Sequence, residues 1–193
     1  MSARMVLLGP PGAGKGTQAA RIGERLGIPA ISTGDIFRAH VAGSTELGRR
    51  ARAYMDRGEY VPDSVTNAMV ADRLAEDDAA SGFLLDGYPR TADQVDALER
   101  MLSERGEALD VVVEITADAD AVVERLLGRA AEQGRADDTE PVIRRRLEVY
   151  AEATAPLAAI YEGRGLLLRV DGMGGIDEVT DRIMAALAAR LSV

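Results

Sequence analysis

A four-residue apolar run, Met5-Val6-Leu7-Leu8, passes without a break into Gly9-Pro10-Pro11-Gly12-Ala13-Gly14-Lys15-Gly16-Thr17, and an amphipathic stretch follows. Strand, glycine loop and helix in that order leave few folds open, because such a loop needs a buried strand to aim it and a helix N-terminus beyond it. Glycines let backbone N–H groups converge on one point, and the helix that opens near Lys15 adds its positive end. The natural occupant is phosphate. Lys15 is the only lysine in the chain, every other Lys or Arg position being Arg. A guanidinium is a flat fork, too broad for the inside of a tight glycine loop, whereas an ammonium is a compact charge that can be cradled there and reach the outer phosphates.

Most loops of this kind carry a Ser or Thr directly after the lysine to ligate Mg²⁺, but here that position is Gly16, with Thr17 one residue later. Mg²⁺ is therefore expected to be held mainly by phosphates, water and outer-sphere carboxylates.

Further along, short apolar runs at residues 29–31, 82–85, 110–115 and 166–170 join residues 5–8 as expected strands, with amphipathic helical stretches between them. That alternation predicts a parallel sheet with helices on both faces and ligands at the carboxyl ends of the strands. Two stretches depart from it. Residues 34–77 are too long for one crossover helix and are broken by Gly43, Gly58 and Pro62, which reads as a several-helix insertion. Residues 133–138 form a short polar loop between two helices. Both are candidates for closing parts, since such loops shield reacting phosphates from water.

A chain of 193 residues with 47% hydrophobic content is expected to form one globular domain, or one core carrying small mobile appendages. With no Cys and a single His, His40, it has no disulfide framework, no Cys-ligated metal and no His-rich metal site, so any metal must be held by oxygen. A net charge of −9 argues against general nucleic-acid or membrane-surface binding. Residues 1–4 lead straight into the first apolar run without the features of a signal peptide, and no segment reaches a membrane span, so a soluble cytoplasmic protein is expected.

Ser32-Thr33-Gly34-Asp35-Ile36-Phe37-Arg38 reads as a capped helix start, with Arg38 one turn in and able to reach an anion there. Phe83-Leu84-Leu85-Asp86-Gly87-Tyr88-Pro89-Arg90-Thr91, with Gln94 soon after, places Asp86 at the carboxyl end of a buried strand, where a metal-linked carboxylate belongs. Arg125 and Arg129 share a helix face. Of Arg144, Arg145 and Arg146, only Arg146 lies beside the apolar stripe of Ile143, Leu147 and Tyr150, while Arg144 and Arg145 are expected to be solvated. His40 is expected at a helix end on the surface, and Met69, Met101, Met173 and Met184 as packing.

Taken in order, the glycine loop, Ser-Thr-Gly-Asp-x-x-Arg, Asp-Gly-Tyr-Pro-Arg-Thr-x-x-Gln, Gly128-Arg129, Gly134-Arg135-x-Asp137-Asp138 and Arg146-Leu147-x-x-Tyr150 resemble the motifs of adenylate kinases over nearly the whole chain. The resemblance implies an α/β fold: a P-loop NTPase-type parallel sheet core flanked by helices, with an AMP-binding helical insertion and a short lid. It implies a single kinase domain with core 1–31, 62–127 and 139–193, insertion 32–61 and lid 128–138. The implied activity is reversible phosphoryl transfer from Mg-ATP to AMP, giving two ADP and serving adenine nucleotide homeostasis.

On the same resemblance, Gly12, Ala13, Gly14, Lys15, Gly16 and Thr17 hold ATP phosphates, Arg129 contacts ATP and Gly174 lies near its adenine. Thr33, Arg38, Glu59, Tyr60, Val61, Gly87, Tyr88, Pro89, Arg90 and Gln94 bind AMP, with Arg38 and Arg90 clamping its phosphate. Arg135 and Arg146 converge on the phosphates between the nucleotides, so the catalytic set is Lys15, Arg90, Arg129, Arg135 and Arg146. Asp86, with Asp137 and Asp138 as weaker candidates, steadies a hydrated Mg²⁺ through water, and no structural zinc is expected. Tyr88 stands where the family usually has Phe, a change expected to matter little because the aromatic body is kept. The expected partners are ATP, AMP and ADP, with no nucleic acid or membrane, and the expected state is a monomer.

In-line transfer between two polyphosphates is a matter of positioning and of neutralising developing charge, which a Lys, five Arg (Arg38, Arg90, Arg129, Arg135 and Arg146) and Mg²⁺ supply without a protein nucleophile. The alternative within the class is a UMP/CMP kinase. Thr33 and Gln94 speak against it, because an amide side chain offers one donor and one acceptor to match the N1 and N6 edge of adenine. A GTPase-like switch would need a guanine-reading Asn-Lys-x-Asp, which a chain with one lysine in its glycine loop lacks. A nucleotide-binding protein without catalysis would leave the arginine set unexplained.

Overall fold

Apolar side chains point to both faces of β1 (Arg4–Leu8): Val6 and Leu8 enter one buried cluster, Met5 and Leu7 another. A strand whose two faces are both covered must lie inside a parallel sheet, and β1 is its central strand. The computed structural model describes residues 3–133 and 139–191, with the backbone alone for residues 129–133. Among these, β2 (Ala30–Ser32), β3 (Phe83–Asp86), β4 (Val111–Thr116) and β5 (Leu167–Asp171) complete one all-parallel sheet in the order β2-β3-β1-β4-β5. Every strand lies within one residue of the apolar run expected for it.

One face is covered by α1 (Lys15–Leu26) and α9 (Ile176–Leu191), which set Ala19, Ile22, Val179, Ile183 and Leu187 against Met5, Leu7, Val111 and Val113. A buried polar link ties these two helices: Gln18 Nε2 donates to Ile176 O at 3.0 Å, and Thr180 Oγ1 donates to Gln18 Oε1 at 2.8 Å. The other face is covered by the helices of the second crossover, α2 (Thr33–Ala42), α3 (Glu46–Met55) and α4 (Asp63–Leu74), and by α5 (Ala92–Ser103) and α8 (Leu157–Gly163). Fully buried Leu85, Leu98 and Val70 meet there, and burying one such side chain stabilises by about 1.5–3 kcal/mol. A smaller cluster of Val122, Leu126 and Ile143 joins α6 (Ala119–Gln133) to α7 (Glu140–Val149).

The expected several-helix insertion at residues 34–77 is thus built as α2, α3 and α4. Side chains stop their neighbours' unpaired N–H groups: Ser32 accepts from Asp35 N at the start of α2, Thr45 from Gly48 N at α3, and Thr91 from Gln94 N at α5. A π-helical turn at Tyr150–Thr154 follows α7, and no helix is long and apolar enough to cross a membrane among the described residues. Helix α6 runs through Gln133, so the first part of the lid expected at 128–138 is helical, while residues 134–138 lie outside the described residues.

Candidate active site

Three strands end at one crevice. The loop of residues 9–14 leaves the end of β1, Asp86 closes β3, and Ser32 closes β2, at the carboxyl edge where an open parallel sheet binds ligands. Gly12 has φ +87°, and a Cβ there would lie 2.9 Å from Val122 O and from Leu126 Cγ, so only glycine lets the loop pass under α6. Helix α1 begins at Lys15 with no side-chain cap and no acidic residue in its first turn, unlike α2, α3 and α5. Its positive end is left for a ligand. Lys15 Nζ donates to Gly9 O at 2.7 Å and to Pro10 O at 3.0 Å, which holds the ammonium over the loop.

Among the described residues, the crevice beside this loop is lined by Gly12, Gly14, Gly16 and Thr17 and by five cationic side chains: Lys15, Arg38, Arg90, Arg125 and Arg146. Asp35 and Asp86 line it too, with Arg38 Nη2 donating to Asp35 Oδ1 at 2.5 Å. Ala13, within the loop, is buried. Helix phase sorts the three consecutive arginines as expected. Arg144 pairs with Glu140 and Arg145 with Glu148 on the exposed side, while half-buried Arg146 lines the crevice. Arg125 was legible only as sharing a face with Arg129; its guanidinium reaches Gly172 O at 3.4 Å and Met173 Sδ at 3.9 Å.

A second cavity opens from the first, lined by Thr33, Arg38, Glu59, Tyr60, Val61, Gly87, Pro89, Arg90, Gln94 and Arg146, together with Lys15. Gly87 carries its geometry. Its carbonyl accepts from Thr33 Oγ1 at 2.8 Å and from Arg90 Nε at 2.7 Å, and at φ +81° a Cβ would lie 2.7 Å from Arg90 Nη2. The Arg90 guanidinium also sits 5.0 Å over the Tyr60 ring, so the ring face adds to the carbonyl in fixing the fork. Thr154, from the π-helical turn, donates to Arg90 O at 2.8 Å. Its one hydroxyl proton being spent, it accepts from the Tyr60 hydroxyl at 2.7 Å. Gly58 lies close against α7, a Cβ there falling 2.8 Å from Val142 O.

Among the described residues expected to bind AMP, Tyr88 is the exception. It is fully buried, outside the cavity lining, and its hydroxyl donates to Asn67 Oδ1 at 2.8 Å. The hydroxyl that separates it from Phe is therefore engaged, and burial raises its pKa, keeping it a neutral donor. Burial likewise pushes the Tyr150 hydroxyl at the cavity wall up to about 12, with the Glu114 carboxylate adding to the shift. His40 is half-buried rather than fully on the surface, its Nδ1 bonded to Thr45 Oγ1 at 2.9 Å, and it lines neither cavity. Gly174 lies in the loop after β5 with φ +111°, a Cβ there meeting Glu178 Oε2 at 2.5 Å. Of Arg129 only the backbone, in α6, is described, and Arg135, Asp137 and Asp138 lie outside the described residues.

Sequence reasoning missed Asp63 and Thr154 and read Thr91 only as part of a motif: Asp63 accepts from Gln94 and Thr91, and Thr154 donates to Arg90. Neither Asp63 nor Thr154 carried a local signal.

This geometry has relatives. The family model described as adenylate kinase matches residues 7–166. The adenylate kinase of Kocuria rhizophila is 66% identical over 95% of this chain and 98% of its own length. That of Pseudarthrobacter chlorophenolicus is 62% identical over 96% of this chain and 97% of its own, and that of Thermobifida fusca 59% identical over 97% and 99%. With the glycine loop, the cationic crevice and the second cavity laid out in the order its motifs require, the chain belongs to the adenylate kinase family.

Proposed function

We infer that this chain catalyses reversible phosphoryl transfer from Mg-ATP to AMP, giving two ADP. One observation carries the reading: Lys15, Arg38, Arg90 and Arg146 converge between an uncapped helix start suited to a polyphosphate and a cavity closed by the Gln94 amide. ATP binds with its phosphates on residues 12–17 and its adenine toward Gly174. AMP occupies the second cavity, its phosphate held by Arg38 and Arg90 and its base by Gln94. An oxygen of the AMP phosphate attacks the γ-phosphorus, the bond to the β,γ-bridging oxygen breaks, and the electron pair stays on the ADP that leaves. Lys15, Arg146 and the lid arginines Arg129 and Arg135 neutralise charge on the moving oxygens. One anhydride replaces another, so the reaction runs both ways.

The residues present fit Mg²⁺ bound mainly by the nucleotide. Asp86 Oδ2 lies 3.7 Å from where a Cβ of Gly16 would be, and no group of three or more His, Cys, Asp or Glu side chains able to hold a metal exists among the described residues. Asp86 would hold the ion through water, with Asp137 and Asp138 as further candidates, and the ion would supply charge neutralisation at the phosphates. Residues 32–61 act as the AMP-binding insertion and 128–138 as a short lid on the core of 1–31, 62–127 and 139–193, in a monomeric cytoplasmic enzyme.

The UMP/CMP alternative draws no support from the relatives, all three being adenylate kinases. The acceptor assay tests it directly. With ATP and Mg²⁺, diphosphate formation from AMP should exceed that from CMP, UMP and GMP by at least about a hundredfold in kcat/KM, since a site that hydrogen-bonds one base edge leaves buried groups unpaired with another. CMP or UMP ahead of AMP would move the chain to the alternative; no transfer to any acceptor would refute a kinase.

A further inference from the structure

Asp63, in the first turn of α4, lies outside the phosphate motifs, and the transfer chemistry has no use for it. Both of its carboxylate oxygens are nevertheless engaged. Oδ1 accepts from Gln94 Nε2 at 2.6 Å and Oδ2 from Thr91 Oγ1 at 2.7 Å. On its other side Gln94 is held by the backbone, its Oε1 accepting from Arg90 N–H at 2.7 Å. Gln94 is only 2% exposed, yet it lines the second cavity.

We propose that Asp63 is a positioning residue that fixes the polarity of the Gln94 amide, so that the cavity accepts the hydrogen-bonding edge of adenine and rejects that of hypoxanthine. A primary amide has two N–H donors and two carbonyl lone pairs. One donor is committed to Asp63 and one lone pair to Arg90 N–H. Turned over, the amide would set its oxygen against a carboxylate, which only accepts, and its NH₂ against a backbone N–H, which only donates. Both contacts would become repulsive, and the bond to Asp63 is the charge-assisted, stronger one. The orientation is locked from two sides, and one N–H and one lone pair remain.

Adenine presents an acceptor, N1, beside a donor, the N6 amino group, and pairs with that remainder. Hypoxanthine has nearly the same outline but presents an N1–H donor beside an O6 acceptor, the reverse order. An amide free to turn would serve either base. Thr91 strengthens the lock: its oxygen caps α5 by accepting from Gln94 N at 3.2 Å, which leaves its proton for Asp63 and ties the carboxylate to the helix that carries Gln94.

The inference rests on Gln94 facing the acceptor base, and the experiment separates the two claims. The kcat/KM ratio of AMP to inosine monophosphate is measured at saturating ATP for the full-length wild type, Asp63→Ala, Asp63→Asn and Gln94→Ala. Asp63→Ala should lower the ratio at least about tenfold, mainly through a higher KM for AMP with the KM for ATP unchanged, because one of two orienting bonds is gone. Asp63→Asn can turn its carbonyl to Gln94 and its amide to the Thr91 hydroxyl, so it should stay within about threefold of wild type.

A merely structural Asp63 would lower the melting temperature without moving the ratio. A ratio for Asp63→Ala within about twofold of wild type, where Gln94→Ala lowers it, overturns the positioning role alone. An Asn variant that falls as far as the Ala variant also overturns it. A Gln94→Ala ratio equal to wild type overturns the role together with the reading of Gln94. If Asp63→Ala does not fold, Asp63→Ser, too short to reach Gln94 but still able to stand at a helix start, is judged by the same criterion.

Discussion

The crevice proposed for phosphate and the cavity proposed for the base share Lys15, Arg38, Arg90 and Arg146, yet they are made in different ways. The crevice draws its central parts from one continuous segment, the loop of residues 9–14 and the start of α1, with charges added around the rim. The base cavity is assembled from separate segments around Thr33, Tyr60, Gly87, Gln94 and Thr154, linked by hydrogen bonds among buried groups. Phosphate is a strong anion that any converging set of donors attracts. A base edge is recognised only when donors and acceptors come in the right order, and that order takes several supporting residues to hold. The two ends should therefore fail differently: loss of charge in the crevice should appear in kcat, and loss of order in the cavity in the KM for AMP.

The largest effect expected is at the phosphate end. Lys15→Ala should reduce kcat by about a hundredfold or more, the scale of removing one preorganised charge donor, with the circular dichroism of the wild type retained. A variant keeping more than about a tenth of wild-type kcat would mean that the surrounding arginines suffice without the lysine.

Helix phase within α7 provides the next test, because two neighbouring arginines differ only in the side they face. Arg146→Ala should lower kcat/KM by at least about tenfold, while Arg145→Ala, whose partner Glu148 is exposed, should stay within about twofold. Equal losses would show that the crevice is governed by the total positive charge on the helix rather than by the one side chain it admits.

This difference also explains what the sequence made legible. Local patterns carried the sheet, since a strand buried on both faces writes itself as an apolar run, and they carried the glycine loop and the phase of Arg144, Arg145 and Arg146. The supports of the base cavity had no such signature. Asp63 meets Gln94 across 31 positions, and Thr154 meets Arg90 across 64, so their roles exist only once the strands have brought those segments together. Tyr88 shows the same limit. As a substitute for Phe it reads as an aromatic body, but its hydroxyl is taken up by Asn67, 21 positions away, which no motif encodes. Arg125 reads as one of a pair on a helix face, and only the packing of α6 over the glycine loop brings it into the crevice.

Thr154 joins the two constructions and gives the smallest effect of the three. It donates to Arg90 O and accepts from the Tyr60 hydroxyl, so it connects the segment that stacks on the Arg90 guanidinium to the backbone that carries it. Thr154→Val keeps the volume but leaves Arg90 O without its donor and the Tyr60 hydroxyl without its acceptor. One such loss in a buried place costs about 1–3 kcal/mol, part of which is recovered as water or a rotated Tyr60 takes the vacated sites. The clamp proposed for the AMP phosphate would be loosened while Lys15 and the α1 start stay untouched. Steady-state kinetics should show the KM for AMP rising about three- to tenfold, kcat falling less than about twofold, and the KM for ATP unchanged. If kcat fell as far as the KM for AMP rose, Thr154 would belong to the machinery of the transferring phosphate, and the division between a charge-built crevice and a hydrogen-bond-built cavity would not hold at Arg90, one of the residues both ends share.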